Sequence, residues 1–333
     1  MINKKILITG HSGFVGSWLS VHLLKCGYKL AGISLKNNNP LHVYNKCHLD
    51  KYIQSYYFDI TNYERTEKIY SLFKPDIVIH LAAQPIVLTA FKQPFYTFKT
   101  NIIGTLNILN ISKKYKCNNI INFTTDKVYQ KNTTKKFLEN DNLFADDPYG
   151  ASKVCSDLIG QTYNKTFDSL NVRTLRAGNI IGGGDYSENR LIPDYFRSII
   201  NSTTLKIRNP NHIRPWQHVA SVVSLIECLI KKKNIKKNIF NLGPINKSQK
   251  VISLIESMNN FSSRNPKIKI INKPENNIEN PVLKLNSSYA RTIFNIKKSS
   301  FKKDVYNTIS WYERSLKQNN MLDFTENQID EYL

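Results

Sequence analysis

The sequence predicts an α/β protein, a doubly wound parallel sheet with helices on both faces, followed by a smaller C-terminal lobe. Three observations carry this. Short apolar β-type runs alternate with longer amphipathic stretches through the first half of the chain. Ile77-Val78-Ile79 is continuously apolar, as a strand buried on both faces requires. Gly10, Gly13 and Gly16 fall between the first strand and the first helix, where backbone must turn tightly and approach a ligand.

Taken in order, strands are expected at residues 5–9, 29–35, 55–58, 77–80, 120–124 and 172–175, with helical patterns between them. After Ala177 the rhythm changes to loops rich in Gly, Pro and Asn, among them Gly182-Gly183-Gly184-Asp185 and Asn209-Pro210-Asn211. This divides the chain into residues 1–177 and 178–333. In the second part, residues 205–207 and 238–242 read as strands, the latter a candidate to rejoin the main sheet; residues 219–230, 251–258 and 305–316 read as helices. There is no internal repeat, and the Asn- and Lys-rich stretch 36–39 reads as a polar loop.

With 333 residues and 41% hydrophobic content the chain can bury an ordinary core. Its apolar runs fall far short of the roughly 20 residues a membrane helix needs, so no span is expected. Met1-Ile2-Asn3-Lys4-Lys5 leads straight into the first strand, and no secretion leader is expected. Five scattered cysteines, odd in number and never in a C-x-x-C pair, fit a reducing cytoplasm. The histidines show no H-E-x-x-H or comparable spacing, so no metal is expected. The net charge of +22 raises the question of nucleic acid. However, the lysines are spread along the chain among Asn and Ile. The densest cluster, Lys231-Lys232-Lys233 with Lys236-Lys237, follows an apolar helical stretch whose negative end cations offset. A phosphate-bearing small substrate suits the charge better, and no nucleic-acid partner is expected.

The glycine loop Gly10-His11-Ser12-Gly13-Phe14-Val15-Gly16 has the spacing G-x-x-G-x-x-G. Glycines alone would also serve a tight turn; placed after a strand and opening a helix, the loop reads as a dinucleotide site of Rossmann type, with helix N–H groups facing a pyrophosphate. Where an acidic residue would hold the ribose hydroxyls, at the end of the second strand, stands Ser34, with Lys36 two residues on. The residues alone therefore leave NADP open. Asp59-Ile60 after the third strand either contacts the adenine or caps the next helix. In His80-Leu81-Ala82-Ala83-Gln84-Pro85, the small residues let backbone pass close to a cofactor.

Tyr149 and Lys153 are four apart, hence neighbours on one helix face. An ammonium near a phenol favours the phenolate and lowers its pKa toward that of a general base. Y-x-x-x-K is common by chance; its position downstream of Thr124-Thr125-Asp126-Lys127, itself downstream of the glycine loop, gives it weight.

These motifs, with Arg176-Ala177-Gly178-Asn179-Ile180-Ile181-Gly182-Gly183-Gly184-Asp185 and Arg208-Asn209-Pro210 through Arg214-Pro215-Trp216-Gln217-His218-Val219, resemble the sugar-nucleotide 4,6-dehydratases of the extended short-chain dehydrogenase/reductase family, in particular those acting on CDP-glucose. The resemblance implies NAD as cofactor and an internal redox cycle on the sugar. It implies that Tyr149 takes the proton of the 4-hydroxyl, Lys153 holds the nicotinamide ribose, Thr125 bonds O4, Lys127 removes the C5 proton and Asp126 protonates the leaving C6 hydroxyl. Gly10, Gly13, Phe14, Val15, Gly16, Ser34, Asp59, Ile60, Leu81, Ala82 and Ala83 are the implied cofactor contacts. Gln84, Asn179, Arg190, Arg208, Arg214 and Trp216 are those implied for the substrate, Arg offering bidentate geometry to a diphosphate. Trp216 is read either as packing on the base or as core. A homodimer through the helix at Tyr149 and the one across residues 97–113 is also implied. The chain departs from the family at Val15, Leu88, Ala90-Phe91 and Gly150, which leaves the sugar open. A sugar-nucleotide epimerase or ketoreductase would use Tyr149 and Lys153 without Asp126 and Lys127. A dinucleotide sensor would need none of them.

Overall fold

The computed structural model describes residues 4–131, 135–232, 235–244, 247–271 and 280–333. Lys233 of the basic cluster and residues 1–3 lie outside them. Six parallel strands come from the first part of the chain: β1 (Lys5–Thr9), β2 (Lys29–Ser34), β3 (Gln54–Tyr57), β4 (Ile77–His80), β5 (Asn119–Thr125) and β6 (Asn171–Ala177). In the lobe, β7 (Thr204–Ile207) pairs with β9 (Lys267–Ile270), while β8 (Ile239–Leu242) returns to pair parallel with β6. The sheet order is β8-β6-β5-β4-β1-β2-β3. From β1 the chain runs outward to β3, then crosses to β4 on the other side, which opens a crevice beyond the C-terminal ends of β1 and β4.

Side-chain alternation explains why these strands are apolar throughout. Ile6 and Ile8 face one hydrophobic layer, Leu7 the other, and all three are fully buried. On the Ile6 face, α1 (Phe14–Lys25) packs beside a helix from residues 178–333; on the Leu7 face lie α2 (Tyr63–Phe73), α4 (Gly104–Lys114) and α5 (Pro148–Thr166), with α3 (Pro94–Phe98) packed against α5. The helix expected across residues 97–113 is interrupted by a π segment, Lys99–Ile103. The lobe adds α6 (Leu191–Ile200), α7 (Val219–Lys231), α8 (Val251–Phe261), α9 (Phe301–Ser315) and α10 (Leu322–Asp330). It has its own apolar cluster, around Phe196, Leu254, Met258 and Tyr312. No helix among the described residues is long and apolar enough to cross a membrane.

Candidate active site

A cleft of about 1320 Å³ runs from the glycine loop, across the ends of β4 and β5, to the loops of the lobe. At its first end the wall is backbone. Gly10 has φ +76°, and a Cβ there would lie 2.9 Å from the Ala82 nitrogen. At Gly16 a Cβ would lie 2.2 Å from the Gly10 oxygen, so the helix can begin against the turn only with glycine there. The N-cap of α1 is Gly13, with no side-chain cap and no acidic residue in the first turn. The helix N-terminus thus faces the cleft with free N–H groups, the arrangement that receives a phosphate. Ser34 bonds the Ser12 hydroxyl at 2.7 Å, and Lys36 and Asn37 border the same corner. Asp59 bonds its carboxylate to the Thr61 N–H; the cap of α2 is Asn62, so the helix-cap reading of Asp59 gives way to a local turn at the cleft edge.

In the middle stand the titratable groups. Asp147 caps α5 by accepting from the Gly150 N–H at 2.9 Å, and Pro148 sets its first turn, which fixes Tyr149 at the cleft with Lys153 one turn below. Lys153 is buried and donates to the Phe123 carbonyl at 2.8 Å. Burial brings its pKa down to about 8, with the Asp157 charge opposing. Tyr149 differs from expectation. Burial pushes its phenol up to about 12, although the Thr125 hydrogen bond and the Arg190 charge favour the phenolate. The spacing places the lysine correctly, but desolvation of the phenol outweighs the nearby charges.

Asp126, also buried, begins a short turn after β5. One of its oxygens accepts from the Thr125 hydroxyl at 3.2 Å, while Oδ2, equally buried, has no partner. Burial raises its pKa to about 6 against the lowering charges of Lys127 and Arg214. Near neutrality this carboxyl is poised to hold and release a proton. Lys127 sits with its ammonium 5.9 Å from the centre of the Tyr149 ring.

The far wall is cationic. Arg190 pairs with Asp185 at 3.0 Å at the start of α6. Arg208 is exposed, and Arg214 is buried, donating to the Asn280 carbonyl and bonding His212. Asn179 borders the cleft and anchors the lobe by accepting from the Gln217 N–H. Trp216 belongs to the apolar cluster of the lobe and also presents an edge to the cleft.

Residues 6–243 match the model of the "NAD dependent epimerase/dehydratase family". The chain belongs to this family. It is 36% identical over 231 residues, 66% of its length, to the CDP-glucose 4,6-dehydratase of Salmonella typhimurium; that stretch spans 64% of the relative, just under two thirds of its length. The fold matches the dTDP-glucose 4,6-dehydratase of Bacillus anthracis in complex with NAD (TM-score 0.79, 24% identity, 93% of this chain and 97% of that one). It also matches the UDP-glucose 4-epimerase of Bifidobacterium longum in complex with NAD+ and UDP (TM-score 0.83, 19% identity, 93% and 98%).

Within this epimerase/dehydratase frame the cleft brings together every site residue expected from sequence except Gln84. Gln84 is buried behind the wall: its amide donates to the Thr97 hydroxyl at 2.8 Å and its backbone N–H donates to Asn101. It fixes the turn after β4 to the helix below and does not border the cleft. Of the departures, Val15, Leu88 and Phe91 border the cleft, whereas Ala90 and Gly150 are buried. A Cβ at Gly150 would lie 2.6 Å from that of Ala145, so glycine there answers the loop before α5. Sequence reasoning missed the support under Lys153. Asp157, the next turn of α5, forms a buried two-pronged pair with Arg176 (2.8 Å on both bonds) and accepts from Thr124. The spacing Tyr149, Lys153, Asp157 was the available signal, and it needed the partner on β6 to be read.

Proposed function

We propose that the chain is a sugar-nucleotide 4,6-dehydratase that uses NAD and converts CDP-glucose, or a related nucleoside diphosphate sugar, to its 4-keto-6-deoxy form. The observation that carries this reading is Asp126, a buried carboxyl held near pKa 6 in the cleft with one oxygen unpartnered. An epimerase has no use for such an acid. The dinucleotide fits the first end of the cleft on this chain's own evidence: glycines where a Cβ would close the wall, and an uncapped helix N-terminus. Ser34, Asp59, Ile60, Leu81, Ala82 and Ala83 border the adenosine-to-nicotinamide path, and Lys153 the nicotinamide ribose.

Held by the glycine-loop wall and Lys153, NAD would supply hydride chemistry, accepting hydride from C4 of the sugar and giving it back at C6. Tyr149 takes the proton of the 4-hydroxyl, and Thr125 holds O4. The ketone at C4 makes the C5 proton acidic, which is why oxidation precedes elimination. Lys127 removes that proton and returns it to C5 once C6 is reduced, and Asp126 gives its own to the C6 hydroxyl, which departs as water. Arg190, Arg208 and Arg214 hold the diphosphate, Arg190 by exchanging its Asp185 partner for a phosphate oxygen. Asn179 and the edge of Trp216 complete the nucleotide end. Residues 1–177 thus supply the cofactor and the chemistry, and residues 178–333 mainly the substrate contacts.

The chain works as a homodimer. Phe95, Ile103 and Leu158, on α3, the π segment and α5, are exposed at 80%, 40% and 48%, an apolar face suited to a second copy. The five cysteines, all unpaired, suit the cytoplasm. The experiment is a screen of CDP-, UDP-, dTDP- and GDP-sugars by mass spectrometry. Loss of water from one of them is expected; interconversion at C4 without loss of mass makes the chain an epimerase instead.

A further inference from the structure

The C-terminal end of α1 carries a donor set that dehydration does not use. His22 and Cys26 stand one turn apart, and Glu227 reaches them from α7, the helix alongside. His22 Nε2 lies 3.0 Å from Glu227 Oε2; Cys26 Sγ lies 3.5 Å from His22 Nε2 and 3.5 Å from Glu227 Oε1. His22 and Glu227 are buried, and Cys26 is partly open to solvent.

We propose that His22, Cys26 and Glu227 form a binding site for a zinc-class divalent cation, with water in the fourth position. Three features support it. Imidazole, thiolate and carboxylate together make the mixed N, S and O set that zinc accepts. Bonds of roughly 2.0–2.3 Å to a tetrahedral ion hold neighbouring ligand atoms roughly 3.3–3.6 Å apart, and one ligand atom from each of the three residues already lies within 4.8 Å of the other two. Both α1 and α7 end at this point, at Lys25 and Lys231, so two negative helix ends converge on the site and favour a cation. At present two cationic partners face the Glu227 carboxylate, the Lys231 ammonium at 2.5 Å and the His22 ring at 3.0 Å. That lysine is more than half exposed, so it can leave for solvent as the ion enters. Along α1 the site is about 18 Å from the glycine loop, so the ion acts as a clamp between the sheet-side helix and the lobe rather than in the reaction.

The test is calorimetric titration of the whole chain with zinc chloride, together with melting curves with and without the ion. One zinc per chain is expected, with a raised melting temperature. Cys26→Ser should weaken binding by at least roughly 100-fold and abolish the melting shift. Cys155→Ser, at a partly open thiol on α5, should leave both unchanged. With cobalt as probe, a thiolate charge-transfer band should appear in the parent and not in Cys26→Ser. A parent that binds no zinc, a Cys26→Ser variant that binds it as tightly, or loss of binding in Cys155→Ser overturns the assignment.

Discussion

The two ends of the cleft are built from different material. At the glycine-loop end the wall is backbone, shaped by the absence of side chains at Gly10, Gly13 and Gly16 and by the bare N-terminus of α1. At the lobe end it is guanidinium, carried on loops and occupied in part by the protein's own acceptors: Asp185 for Arg190, the Asn280 carbonyl and His212 for Arg214. A backbone wall is specific by shape and fails by steric intrusion. A guanidinium wall is specific by charge and fails by loss of binding while the fold survives. The groups we propose for the chemistry stand between the walls and belong to neither. Variants in the three regions should therefore separate cleanly.

The largest effect is expected in the middle. Tyr149→Phe should lower kcat by roughly 10²- to 10⁴-fold, while NAD titration remains close to the parent, because the phenol oxygen serves the sugar and not the dinucleotide. Wild-type turnover in this variant would remove Tyr149 from the chemistry.

Next comes the charged wall. Arg208 is exposed and can be replaced without disturbing the core. Arg208→Ala should raise the KM for the sugar nucleotide by roughly 10- to 100-fold with kcat little changed, the worth of a charge-assisted hydrogen bond. Arg208→Lys should recover part of the loss, since it restores the charge without the two-pronged geometry. Steady-state kinetics with unchanged KM in both variants would remove the diphosphate contact. At the backbone wall, Gly16→Ala should instead weaken NAD and destabilise the fold by roughly 1–3 kcal/mol through overpacking. Its affinity for the sugar nucleotide alone should stay near the parent's, checked by denaturant unfolding and two separate titrations.

A smaller effect links the site to stability. The folded-state pKa of Asp126 is raised to about 6, above its unfolded value, so the folded state holds this proton more tightly than the unfolded chain. The contribution is fully present below about pH 4 and is lost as pH rises through about 6, where the buried carboxylate must ionise. Asp126→Asn should consequently gain stability relative to the parent as pH rises from 4 to 7, by up to roughly 3 kcal/mol. Unfolding free energies measured across that range check it; a pH-independent difference contradicts it.

How much of this was legible in the sequence follows from where each residue's partners lie. β1 and β4 were readable to the residue because burial on both faces leaves an unbroken apolar run. The glycine loop, Thr125–Lys127 and the Tyr149–Lys153 pair were readable because each is a local motif whose spacing carries its own geometry. That Gln84 lies outside the cleft lining was not legible, because a polar residue after a strand can face the ligand or the turn beneath it, and its bonds to Thr97 and Asn101 belong to the folded chain. Asp157 with Arg176, and His22 with Glu227, join residues far apart in the chain, so no window of sequence contains both partners. The pKa of Tyr149 was expected to fall because the neighbouring lysine is visible in the motif, whereas the burial that outweighs it belongs to the folded chain.

We propose that Asp126 and Lys127 make this site a dehydratase rather than an epimerase, and a single-turnover experiment separates the two. Enzyme loaded with NAD, in excess over CDP-glucose or whichever sugar nucleotide the screen identifies, is mixed and quenched, with nicotinamide absorbance followed alongside mass analysis of the sugar. In Asp126→Asn and in Lys127→Met, oxidation at C4 should persist and reduced cofactor should accumulate, while loss of water falls by roughly 10²- to 10⁴-fold. If both variants dehydrate the sugar at the parent rate, the elimination roles are wrong and the epimerase or reductase reading replaces them.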